Sequence, residues 1–193
     1  MQRVAYFISL ILNPAFLVLL LILLSIEKSG FTQSVLLKFT LMALLFNVLI
    51  PFIALAYFIQ KGMVFDDVLQ NREVLKNRPS ILALSFLILL TQLIITYYAG
   101  HPEPLFSVLI LLTLLVFFLF LISLYKKISL HVALVTAFCF VLLNIFGGYS
   151  FLVFLLIPVI VWSRAVLLRH TRNQMIAGFL LAGALSLIIF YFV

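Results

Sequence analysis

Seven apolar runs, separated by short polar breaks, dominate this chain; they cover 4–26, 35–59, 81–98, 105–125, 131–145, 151–168 and the stretch that follows the 169–173 break to residue 193. A helix rising 1.5 Å per residue crosses a hydrocarbon core of about 30 Å in ~20 residues. Lipid offers no hydrogen-bond partner to a backbone, so runs of this length are expected to fold as helices. A barrel would show short strands alternating apolar and polar residues, and these runs do not alternate. Composition agrees: 67% of the residues are hydrophobic and 9% charged, with a mean hydropathy of +1.39, whereas a soluble domain is about half apolar. The expectation is an all-α polytopic bundle of about seven (six to seven) transmembrane helices, the fifth and sixth runs being near the short limit for a span, in one transmembrane domain over 1–193. The first run, after Met1-Gln2-Arg3, is too long for a cleaved leader and lacks a small-residue cleavage site. Asn13-Pro14 predicts a kink within it. Cys139 is a lone cysteine inside an apolar run and reads as a structural thiol.

Alternation of crossings then sorts the polar breaks. With the N-terminus on one side, the breaks 60–80, 126–131 and 163–174 all emerge on that same side. The other side receives Glu27-Lys28, the turn around His101, Gly147-Gly148 and the C-terminus. Ten of the twelve Lys and Arg residues fall on the first side, which the positive-inside rule makes cytoplasmic. The net charge of +7 is therefore explained by topology and anionic headgroups, not by nucleic acid. A multi-pass protein of a bacterial or archaeal inner membrane is expected. Within 60–80, the part before Pro79 reads as a short amphipathic surface helix.

The gathered face is rich in cations and imidazoles. It combines His131 and His170 with Ser129, Arg164, Arg72, Arg78 and Lys127. Fixed cations with few carboxylates suit a multiply charged anion, most simply phosphate, and helix N-termini add amide donors of the right sign. Gln174 follows His170 by four residues, the spacing of one helix face, and its carbonyl is positioned to hold one imidazole nitrogen while the other acts as nucleophile. His131 is then available to protonate a leaving oxygen. No His/Cys cluster or dense carboxylate group suggests a metal, and no cofactor is expected.

These motifs resemble those of the type-2 phosphatidic acid phosphatase superfamily. Ser163-Arg164, five residues, His170, three residues and Gln174 has the spacing of that family's third signature, with Gln174 where the family has Asp. Ile128-Ser129-Leu130-His131 is similar to the second, with Leu130 in place of Gly. Asn71 to Arg78-Pro79 is similar to the first, with Arg72 or Lys76 standing for its lysine. Ile176-Ala177-Gly178 is similar to the helix after the third signature. The resemblance implies the phosphatase/haloperoxidase-like helical core. It implies a phosphohistidine on His170 oriented by Gln174, with His131 as acid and then base. Arg164, Ser129, Arg78 and Arg72 or Lys76 would hold phosphate, without a metal, in a lipid phosphate or diphosphate substrate.

Bland readings stand beside these. Arg164 and His170 also suit an interfacial loop with snorkelling cations, His131 a plain helix start, and Arg72 and Arg78 a solvated loop. Arg169 and Arg172 read as headgroup contacts, and His101 as a loop residue. Gln174 and Leu130 also admit an inactive relative that binds a phospholipid or polyprenyl phosphate headgroup. A transporter ranks last, because the polar residues lie at one end of the helices and not at mid-membrane.

Overall fold

The computed structural model describes residues 1–60 and 78–192. Helix makes up 86% of the structure and no strand occurs among the described residues, so the all-α expectation holds. Among those residues, six helices are long and apolar enough to cross a membrane: Gln2–Lys28, Gln33–Ala54, Pro79–Tyr98, Leu105–Ser123, Leu130–Val166 and Arg172–Phe192. That is the pattern of a multi-pass membrane protein. The fifth is 37 residues long, nearly twice what a crossing needs. It doubles back at Gly147, whose φ of +72° glycine adopts without a Cβ penalty. Across this reversal Cys139 Sγ meets Val153 O at 3.3 Å, and the Phe140 and Phe154 rings lie 5.2 Å apart.

The elements in order are α1 (Gln2–Ile11), α2 (Pro14–Lys28), α3 (Gln33–Leu44), a π turn (Leu45–Leu49), α4 (Ile50–Gln60), α5 (Arg78–Tyr98), α6 (Leu105–Ser123), α7 (Leu130–Phe146), a 3-10 segment (Gly147–Leu155), α8 (Leu156–Val166) and α9 (Arg172–Phe192). The first apolar run is thus broken, not only kinked. Asn13 caps α2 through Oδ1, which accepts from Ala15 N–H at 2.9 Å, and Pro14 takes the first helical position, where its missing N–H costs nothing.

Helices α6 and α7 are the best buried. Leu109, Leu112 and Leu115 on α6, and Val132, Val135 and Cys139 on α7, are fully enclosed. α5 packs on α6, α9 on α7 and α6, and α2 on α3, α6 and α7, while α1 lies along α8. Lipid tails are as apolar as leucine, so close approach of small residues does much of the work of holding such helices together. The buried stripe of α9 is Met175, Gly178, Ala182, Gly183, Ser186 and Ile189, a helical spacing that turns its small residues inward, toward α7 and α6. At Gly178 the contact is closest: a Cβ there would stand 2.7 Å from Ser129 O and 3.4 Å from Ala133 N.

Several hydroxyls within the spans return to the carbonyl one turn earlier, as Ser25, Thr96 and Thr136 do at 2.7–2.8 Å, the acceptor at hand where lipid offers none. Gln92 is wholly buried and is matched by Asn47 on the π turn, whose Nδ2 donates to its Oε1 at 3.0 Å.

Candidate functional site

The site grows from the last turn of α8. Ser163 Oγ donates to Ala5 O at 2.6 Å, both residues being buried, and this bond fixes α1 against α8. The next residue, Arg164, donates from Nη1 to Ser9 Oγ at 2.7 Å. On the other side of the same hydroxyl, His131 Nε2 lies 3.4 Å away. One serine on α1 therefore joins the arginine in the last turn of α8 to the histidine in the first turn of α7. The hollow between them has a volume of about 250 Å³ and is lined by Tyr6, Ser9, Asn13, His131, Arg164 and Arg169 among others.

The chain after Arg164 turns back on itself. Arg169 N–H bonds Arg164 O at 3.2 Å and Leu168 N–H bonds Ala165 O at 3.0 Å, the paired bonds of a Schellman termination. Its left-handed position is held by Leu168 with φ +53°, where glycine is usual. This turn places Arg169 on the hollow and brings His170 to the start of α9.

His170 precedes α9 and is not part of it. The expected contact with Gln174 is present, with Nδ1 to Oε1 at 3.0 Å, but it does not come from two residues on one helix face. Thr171 is the cap: its carbonyl accepts Met175 N–H at 3.2 Å, and its Oγ1 lies 3.5 Å from Gln174 N–H. Gln174 Oε1 accepts Thr171 N–H at 3.2 Å in return. This is the reciprocal capping box of a Thr-x-x-Gln sequence, and the same oxygen also accepts from His170. An amide oxygen only accepts, so the neutral imidazole carries its proton on Nδ1 and its lone pair on Nε2.

The start of α9 is tied to the start of α7. Ser129 N–H donates to Gln174 O at 3.1 Å, over the close approach at Gly178. His131 lies two residues beyond one end of this link, and Gln174 at the other end holds His170. Ser129 precedes α7 and is fully buried, with no acceptor or donor at its Oγ; Arg164 Nε is likewise buried without a partner. Both carboxylates among the described residues, Glu27 and Glu103, lie in or beside turns away from this cluster. The N-termini of α7 and α9 add partial positive charge. Arg164, Arg169 and His131 share the hollow with no described carboxylate in its lining, an arrangement able to hold a phosphate.

Of the other residues singled out from sequence, Lys127 is exposed in the linker before α7. Arg72 and Lys76, and the amphipathic helix expected before Pro79, lie outside the described residues. Arg78 opens α5, its side chain lying outside what is described. His170 is half-buried beside the hollow's rim, not in its lining. The sequence assigned no site role to Ser9 or Tyr6, and to Asn13 only a kink. Ser9 meets partners 122 and 155 residues away, a relation no local pattern encodes. Thr171 was legible, since a threonine three residues ahead of a glutamine and an apolar run is a capping signal.

Among the described residues, no group of three or more His, Cys, Asp and Glu side chains gathers at one place. No protein-family model, no characterised protein and no solved structure matches this chain.

Proposed function

We propose that this protein is a membrane phosphatase that removes phosphate from a lipid phosphate or diphosphate through a phosphohistidine. The observation that carries the reading is the His170–Gln174 contact, which holds one imidazole nitrogen by its proton and gives the other the lone pair a nucleophile needs. In the reaction His170 Nε2 attacks phosphorus and the bond to the lipid oxygen breaks. That oxygen takes a proton from protonated His131. Neutral His131 then accepts a proton from water as the water oxygen attacks phosphorus; the P–N bond breaks, and inorganic phosphate leaves with His170 restored. Arg164, with Nη1 braced on Ser9, and Ser129 hold the phosphate oxygens. In this reading Arg78, Arg72, Lys76 and Lys127 would add positive charge for the phosphate.

The spacing of Ser163-Arg164, His170 and Gln174, together with Ser129 and His131, supports a divergent relative of the type-2 phosphatidic acid phosphatase superfamily. On the charge count, the site faces the cytoplasm. The test is phosphate release from a panel of lipid phosphates by purified protein with chelator present. Release is expected to resist chelator and to vanish in His170→Ala at unchanged melting temperature. Activity retained in that variant would sink the mechanism.

A second reading has its own observation. Gln174 is occupied as a helix cap, and an amide stabilises an imidazolium less than a carboxylate does. The protein is then a non-catalytic receptor for the same phosphorylated headgroup. Gln174→Asp separates the two: turnover that rises marks an impaired enzyme, and none in either form marks a binder.

A further inference from the structure

Beside the cationic hollow lies a second, larger cavity of about 370 Å³ between α2, the π turn, α4, α5, α6 and α7. Asn13 lines both cavities. Along α7 they are one residue apart: Leu130 faces the chamber and the next residue, His131, faces the hollow. Apart from Asn13, Asn47 and Ser85, the chamber's walls are apolar. It follows α5 from Ile81 to Leu89, a depth of about 12 Å at 1.5 Å per residue. Asn47 stands on its wall near mid-span, bound to the buried Gln92, so an amide pair borders the deep part.

We propose that this chamber receives the first part of the hydrocarbon chain of the amphiphile whose phosphate sits in the hollow. The inference rests on the anionic-headgroup reading above and adds where the chain goes. An engineered cavity of about 150 Å³ holds a six-carbon ring; at that density, 370 Å³ has room for roughly fifteen carbons. A chain leaving lipid for the chamber gains little from hydrophobicity, because lipid is equally apolar. The chamber therefore selects by shape: it accepts a slender single chain next to the headgroup and excludes one that is bulky there. Anchorage comes from the phosphate.

The test uses the full chain in phosphatidylcholine nanodiscs and two photoprobes, a dodecyl phosphate with a mid-chain diazirine and the matching dodecanol. Labelled positions are mapped by mass spectrometry. The phosphate probe is expected to mark Leu82, Leu89, Val116 and Leu134, and the alcohol at least tenfold less. Excess butyl phosphate is expected to suppress the marking, and Leu89→Trp to reduce it tenfold at the remaining positions. Marking confined to outward-facing residues such as Leu87 and Ile94, which are 57% and 48% exposed, overturns the proposal. Equal marking by the alcohol overturns it too, because the hollow then reads no headgroup. Chamber marking by the phosphate probe, with no phosphate released from any lipid phosphate, leaves the chamber assignment standing and removes the hydrolytic reading alone.

Discussion

Replacing Gly178 by alanine tests the join between α7 and α9 on which the site depends. The new Cβ would lie 2.7 Å from Ser129 O, whereas carbon–oxygen contacts in proteins settle at about 3.3–3.6 Å. The opposing atom is backbone and has no rotamer to change, so the helices must part by at least ~0.6 Å. Overpacking of this kind costs about 1–3 kcal/mol. Stretching the Ser129 N–H to Gln174 O bond, now 3.1 Å, costs up to ~1 kcal/mol more. Alanine's helix preference over glycine returns about 1 kcal/mol. The net expectation is a loss of ~0–3 kcal/mol in reversible unfolding in mixed micelles. The same displacement moves His170 away from His131, and a misplacement approaching 1 Å costs up to about 100-fold in rate. Gly183→Ala is the internal control, since its Cβ would meet only Phe140 Cε2 at 3.8 Å, an ordinary contact. It should be neutral or stabilising by up to ~1 kcal/mol. If Gly178→Ala and Gly183→Ala unfold alike and hydrolyse alike, the close approach does not organise the site.

Further outcomes follow from the same geometry. Leu168→Gly should stabilise by about 1 kcal/mol, because the left-handed position costs a side-chain-bearing residue that much; a lower melting temperature would refute the strained-turn assignment. Ser9→Ala removes the acceptor of Arg164 Nη1 and should cost ~1.5–3 kcal/mol as a charge-assisted bond, with phosphate affinity weakened in parallel and restored by Ser9→Thr. Gln174→Glu keeps the capping box and puts a carboxylate on His170; turnover should rise with stability unchanged within ~0.5 kcal/mol, whereas Gln174→Ala should lose about 1 kcal/mol of cap as well as turnover. Asn47→Leu leaves the buried Gln92 amide without its cross-helix partner and should cost ~1–2 kcal/mol. The double variant with Gln92→Leu should recover most of this, and failure to recover would show that the pair contributes through packing alone.

The residues alone determined the bundle, the polar breaks and the grouping of Ser129, His131, Arg164 and His170 at one end. These are consequences of run length, of the backbone's need for partners in lipid, and of alternation from side to side. The Gln174–His170 contact was also legible, though by the wrong route: the spacing was read as a helix face, while a capping box makes the contact. Tertiary structure decided the rest. Ser9 joins Arg164 to His131 only because α1 lies along α8, and nothing in the first ten residues distinguishes that serine from any other on an apolar helix. Gly178 is needed for what Ser129 does 49 residues earlier, and Asn47 for a glutamine on another helix. The apolar chamber belongs to no segment, being the space that six elements leave between them. Periodicity and capping act over one or two turns and can be read from neighbours in the chain. A bond or cavity between helices depends on how far apart they pack and how each is rotated, and those are settled only when all of them are in place.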